Sequence, residues 1–358
     1  MAKHHFVPRM LLRNFAVDNE KKYLNIHLLN NDEYLYNMPL YNQAQEYNLY
    51  GSDQKLENSF NKIESFAAPC LAKLNTGNVN LSTDDNCYLK LYLAAQLIRT
   101  PGYISMNDNC IDEMIKRIPL NDQQWKKYLD AYNIIKNDPY RLYFNNLRDL
   151  YSLISDLRIG LLEADNSKIS FMIGQNPVIL LNPFLKSKKN WIWSTQGLAL
   201  KGLVMIMPIS PRYSFVLYDS LRYVLLNKYP ELIINDADVE KLNDFQYCNT
   251  KECVYFTNII DEEHYKYKNS MYRNYRNSNK SDFEIIGSSI DEKTGYKTEI
   301  TKTDVKEFPI EQKFNFIACK ANEYISSIIS YNDAKRENVD HVNLKRKIKM
   351  GRIQSEIP

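Results

Sequence analysis

The sequence predicts an α+β fold, with an N-terminal helical block packed on a mostly antiparallel sheet and further helices at the flanks. Three observations carry this reading. Through residues 52–153, apolar side chains recur at helical spacing behind clear capping signals. From Asp156 the pattern shortens to runs such as Leu157–Leu162, Leu203–Met207 and Ser214–Tyr218, bounded by Gly, Pro, Asn and Ser, which read as strands. Helical spacing then returns over Val239–Thr250.

The elements follow in order. Pro8 suits the first position of a helix because it has no N–H to satisfy, so a short helix is expected over Pro8–Phe15, with Arg9 and Arg13 on one face. Tyr23–Leu28 and Glu33–Tyr36 flank a turn-like Asn30-Asn31-Asp32, which predicts a hairpin. Ser52–Asn75 carries Leu56, Phe60, Ile63, Ala67 and Leu71 at helical spacing. Ser82-Thr83-Asp84-Asp85 caps the next helix, which stops at Thr100-Pro101-Gly102. Further helices are expected over Asn121–Lys136 and from Asp138-Pro139 to about Leu153. Ile169–Ile173, Val178–Leu181 and Glu252–Thr257 read as additional strands. Residues 258–310 are polar and weakly patterned, and Gln312–Ser330 reads as a helix. One domain is expected over 1–330, helix-rich to 153, sheet-containing over 154–260 and less regular over 261–330. Residues 331–358 read as a basic, flexible tail.

Composition narrows the function classes. The chain has 358 residues, 44% of them hydrophobic, and a formal net charge of +3, too small for nucleic-acid binding through bulk electrostatics. Any such contact needs a local patch. Two candidates exist: Lys266, Lys268, Arg273, Arg276 and Lys280 interleaved with Tyr265, Tyr267, Tyr272 and Tyr275, and the terminal Lys345-Arg346-Lys347 with Lys349. With 27 Tyr against 10 Gly, the composition is that of AT-rich coding, so a solvated face is the favoured reading of both. The six cysteines show no metal-finger spacing and suit buried, reduced thiols. No membrane span and no signal-peptide hydrophobic region is present in the sequence, so a cytoplasmic location is expected. Walker, dinucleotide-binding and nucleophile-elbow motifs are absent.

Several side chains have the chemistry for a site. His4 and His5 are adjacent on an extended segment and point to opposite faces, so one can serve as acid or base while the other packs. Arg9 and Arg13 form a fork for two oxyanion contacts, or pair with Glu57 and Glu64, which lie two helical turns apart on one face. Those two glutamates are the weak candidates for a metal; no cofactor is predicted, and no accompanying His or Asp pattern supports a divalent ion. Gln96 interrupts an apolar helix face, and Arg99 follows one turn later, where a helix C-terminus also favours a cation. Asn176, before Pro177, either presents its amide to a ligand or closes a turn.

The opening His4-His5-Phe6-Val7-Pro8-Arg9 with Leu12-Arg13-Asn14-Phe15 closely resembles the start of the bacterial and fungal family called domain of unknown function 4238. The resemblance continues through Asn48-Leu49-Tyr50-Gly51, Leu56-Glu57, Ile63-Glu64, Leu81–Asp85 and Gln96–Pro101. It extends to Gly174–Val178, Met207–Pro211 and Leu242-Asn243 with Gln246, spanning roughly residues 3–260. Gln175 stands where that family commonly has Asp. The resemblance implies an architecture and a polar cluster. The function expected is a nucleic-acid-directed phosphodiester hydrolase, of the kind used in phage defence or as a toxin-type effector. His4, His5, Arg99 and Asn176 would act in catalysis, with Arg9, Arg13, Asn14, Gln96 and Gln175 binding substrate. The alternative is a non-enzymatic module that holds nucleic acid, a peptide or a small anion through the same cluster.

Overall fold

The computed structural model describes residues 3–117, 129–130, 132–133, 136–164, 169–188, 191, 193–226, 231–278, 281–290, 297–320 and 333–337. The N-terminal part begins with strand β1 (Lys3–His5), helix α1 (Arg9–Leu12) with a further tight turn over Arg13–Phe15, the hairpin β2 (Tyr23–Leu28) and β3 (Glu33–Pro39), and β4 (Gln45–Tyr47). Pro8 precedes α1 at φ −58°, which a proline ring fixes in advance. The helical block comprises α2 (Lys55–Leu74), α3 (Thr83–Ile98), α4 (Pro101–Arg117), α5 (Pro139–Asn145) and α6 (Leu147–Ile154). Ser82 and Asp85 form a reciprocal capping box at the start of α3, satisfying two backbone donors that the helix itself leaves open. Thr100-Pro101-Gly102 does end α3, but the same proline opens α4, so the expected stop is also a helix start.

Two sheets follow. Strands β5 (Arg158–Ala164), β7 (Ile179–Leu181), β8 (Val204–Pro208), β9 (Tyr213–Tyr218) and β11 (Glu231–Ile234) form a five-stranded sheet in the order β11-β5-β9-β8-β7. Its pairs are antiparallel except β11 with β5. The second sheet, β3-β2-β12-β6, adds β6 (Ile173–Gly174) and β12 (Cys253–Phe256) to the hairpin and is antiparallel throughout. Side chains alternate across the five-stranded sheet. Leu161, Met205, Met207, Phe215 and Leu217 join a core with the N-terminal helices, whereas Leu162, Val204, Ile206, Val216 and Tyr218 join a second core. Burial of both faces explains why these strands read as near-continuous apolar runs.

The second core is completed by α8 (Asp236–Asn249) and α9 (Glu262–Asn277), which follow the short α7 (Pro183–Lys186). Several expectations are corrected here. Residues 258–310 hold α9 and a hairpin of β13 (Ser281–Ile290) with β14 (Lys297–Val305). The expected helix from Gln312 is instead an extended segment whose β15 (Ile317–Cys319) pairs with β10 (Tyr223–Leu225). Phe314 and Phe316 are buried at alternate positions, as a strand-like segment requires. Within the expected tail, Arg336 is buried, donates to Asp156 at 2.8 Å and to the Leu200 carbonyl at 2.8 Å, and so anchors residues 333–337. Most of the expected helix over Asn121–Lys136, the rest of that over 312–330 and the basic residues 345–349 lie outside the described residues.

Candidate functional site

Pairing of β1 with β4 places His4 and His5 on opposite sides of a two-stranded ribbon. His4 is fully buried and stacks on Tyr50. Its Nδ1 accepts from the Tyr50 backbone N–H at 2.9 Å, and its Nε2 contacts the Gln54 side-chain amide at 2.9 Å. Both ring nitrogens are therefore engaged, and burial lowers the imidazole pKa, so His4 clamps the Tyr50 loop as a neutral ring. His5 is half-buried. Burial first, and then the Arg9 charge, push its pKa down to about 4, with a hydrogen bond to the Tyr41 backbone opposing.

Arg99, at the end of α3, is buried beneath this ribbon. It pairs with Glu64 at 2.5 Å, donates to the Tyr50 hydroxyl at 3.3 Å and to the His5 carbonyl, and covers the Phe60 ring. Two glutamates share this neighbourhood, and one guanidinium serves them unequally. The buried Oε2 of Glu57 has no hydrogen-bond partner among the described residues. Burial lifts its pKa to about 7; the Arg99 charge opposes, the Glu64 carboxylate adds, and Arg9 opposes. Arg9 and Arg13 are both exposed, and neither makes an ion pair among the described residues. Arg9 acts electrostatically on both His5 and Glu57, whereas Arg13 is not among the charges that act on either. Thus His5, Arg9, Glu57, Glu64 and Arg99 come together. Among the described residues, no three His, Cys, Asp or Glu side chains converge as a metal-ligand set.

The remaining candidates are placed elsewhere, holding the backbone. Asn14 donates to the Ile209 carbonyl at 3.0 Å. Gln96 is fully buried and donates to the Phe6 carbonyl at 2.8 Å. Gln175 spans the start of β12, donating to the Glu252 carboxylate at 2.9 Å and accepting from its backbone N–H at 3.1 Å. An Asp at this position could not donate to Glu252, so the substitution suits that neighbour. Asn176 accepts from Gly102 N–H at 3.2 Å and donates to the Asn249 carbonyl at 2.6 Å. It ties the start of α4 to the end of α8. A Cβ on Gly102 would lie 2.2 Å from the Asn176 Nδ2, so this helix start needs glycine.

One group of residues escaped the sequence reading as a unit. Asn243, Gln246 and Asn249 lie at i, i+3 and i+6 on α8 and hydrogen-bond to the backbone of residues 170–178. Asn243 serves Met172 N–H and the Ser170 carbonyl, Gln246 serves Gly174 N–H and the Pro177 carbonyl, and Asn249 serves the carbonyls of Asn176 and Val178. Amides repeated at helical spacing were the available signal.

The basic and aromatic run of α9 is only partly drawn into the fold: Tyr267 and Arg273 stay exposed, and Lys280 lies outside the described residues. Tyr265, Tyr272 and Tyr275 are buried, Lys266 pairs with Glu263 at 2.9 Å, and Lys268 pairs with Asp244 at 2.8 Å. Among the described residues, no helix is long and apolar enough to cross a membrane.

Comparison with known proteins places this cluster in a family. Residues 3–259 match the family model described as "Protein of unknown function (DUF4238)". No curated protein and no solved structure matches the chain.

Proposed function

The chain belongs to the DUF4238 family, and from that premise and the geometry of its N-terminal cluster we propose that it is a hydrolase of phosphodiesters. The observation that carries this reading is Glu57. Burial pushes its pKa up to about 7, one of its buried oxygens has no partner among the described residues, and the exposed Arg9, which acts on it electrostatically, makes no ion pair among the described residues. A group poised near pH 7 is suited to take a proton from attacking water, and an unpaired guanidinium is suited to hold a phosphate oxygen. His5, neutral above about pH 4 and bonded to the Tyr41 backbone, adds an uncharged ring near the Arg9 charge. Nucleic acid is the substrate class to test first.

The first prediction is kinetic. Purified protein incubated with labelled single-stranded RNA and DNA, with and without chelator, is expected to release shorter products. The carboxylate is the active form of a general base, so the rate should rise with pH through about 7. Glu57→Gln should remove that inflection and lower kcat by about 100-fold or more. Arg9→Ala should chiefly raise KM. Failure to cleave either polymer, with or without metal ions, would sink the reading.

A second reading, a non-catalytic anion-binding module, is favoured by the internal bonds of His4, Gln96, Arg99 and Asn176. Saturable, salt-sensitive binding of the same polymers without cleavage would select it.

A further inference from the structure

Glu57, His5 and Arg9 do not line the cleft of 630 Å³ that opens between the helical block and the residues around α8 and α9. Three observations describe what this cleft lacks. The first is Arg276, 8% exposed, whose guanidinium meets neutral oxygens: the Asn269 carbonyl at 3.1 Å, the Asn269 side chain, and the Tyr247 carbonyl at 3.4 Å. It makes no ion pair among the described residues, and burial lowers its pKa. Asp32 acts on it electrostatically and reaches it through Asn269 but forms no ion pair with it; a desolvated cation so weakly compensated is costly, and Lys251 and Lys306 add positive charge to the same cleft.

The second observation concerns hydrogen bonding. Gln96 Oε1 and Thr250 Oγ1, on two fully buried side chains that line the cleft, have no partner among the described residues. The bond from Gln96 Nε2 to the Phe6 carbonyl fixes which way that amide faces, so the orphaned oxygen needs an N–H or O–H donor. The third is a carboxylate pair. Burial and the neighbouring Glu252 raise the pKa of Glu46, and no cation is among the groups acting on it. Glu46 and Glu252 thus give the cleft an acidic, hydrogen-bond-accepting part in addition to its basic residues.

We propose that this cleft binds a small organic anion with the chemistry of a nucleoside monophosphate. Its phosphate meets Arg276, Lys251 and Lys306. An amino-bearing ring edge faces Gln96 and the Glu46–Glu252 pair, and the ring lies against Phe6 and Tyr103. The volume is that of sites for ligands of this size. The proposal stands apart from the hydrolase reading, because it concerns other residues and is read by binding alone.

Titration calorimetry on the whole chain with AMP, adenosine, ribose 5-phosphate and inorganic phosphate tests it. AMP should bind saturably and about tenfold or more tighter than each of the other three. Arg276→Gln and the rim double variant Lys251→Ala/Lys306→Ala should each weaken AMP binding by about tenfold or more, while the double variant leaves adenosine unchanged. If Arg276→Gln does not fold by circular dichroism, the double variant decides, since both lysines are exposed. The proposal is overturned if AMP shows no saturable binding, if phosphate or adenosine alone binds as tightly, or if the double variant binds AMP like the unaltered chain.

Discussion

Replacing Arg99 would disturb more of the N-terminal region than replacing any other single side chain of the cluster. Its guanidinium holds Glu64, Tyr50 and the His5 carbonyl together while lying against Phe60. Arg99→Met leaves Glu64 with an uncompensated charge at a largely buried site. A loss of about 2–4 kcal/mol is expected, after allowance for the partial exposure of the carboxylate. Denaturant unfolding at pH 7 measures it, and a loss under about 1 kcal/mol would deny Arg99 the role of central staple. The sequence makes Arg99, Glu57 and Glu64 visible as candidates, because spacing alone puts the two glutamates on one face. It cannot rank them. Which carboxylate takes the one guanidinium depends on how α2 and α3 pack, and that choice leaves Glu57 unpaired. The same limit applies to His4, whose residue type is equally suited to chemistry and to clamping a loop.

The amides of α8 act as a substitute for a strand. Ile169–Ile173 reads as a strand, yet pairing is confined to Ile173–Gly174, where β6 meets β12. The backbone groups around it are satisfied by Asn243, Gln246 and Asn249 instead. Asn243→Ala removes partners from the buried Met172 N–H and from the Ser170 carbonyl, and should cost about 2–3 kcal/mol. Hydrogen exchange at Met172 should speed up in that variant; unchanged protection would mean the Asn243 amide is not what holds this segment. Helix α9 shows the opposite lesson. Tyr265, Asn269, Tyr272 and Arg276 follow helical spacing and are all buried, so its pattern was present in the sequence. Tyrosine is abundant along the whole chain, so this spacing stands out little there, and polar and amphipathic side chains cover this core in place of leucine. No local pattern distinguished the extended segment at 314–319 from a helix, since its partner β10 lies about ninety residues earlier.

At the scale of the molecule, the five-stranded sheet is a middle layer feeding two cores. Its α+β class was legible from the change of period alone. The second core was not, because much of it comes from beyond the family match. Tyr265, Tyr272, Phe308, Phe316 and Ala334 all pack there, while the matched region ends at residue 259. A chain cut after residue 259 should therefore expose one face of that core. It is expected to bind a hydrophobic dye strongly and to lose its near-ultraviolet dichroism, as loosely packed states do. A monodisperse product with sharp near-ultraviolet bands would show that the later residues are dispensable.

The contact between Gly102 and Asn176 bears on how such a chain can change over time. Neither position can be altered alone without cost, since any side chain at 102 strikes the amide and any shortening of Asn176 strands the first turn of α4. The two are far apart along the chain yet form a single heritable unit. Because that unit also joins two walls of the cleft, substitutions that retune a bound molecule are easier to accept at the rim, at Lys251, Glu252 or Lys306, than at the Gly102–Asn176 contact.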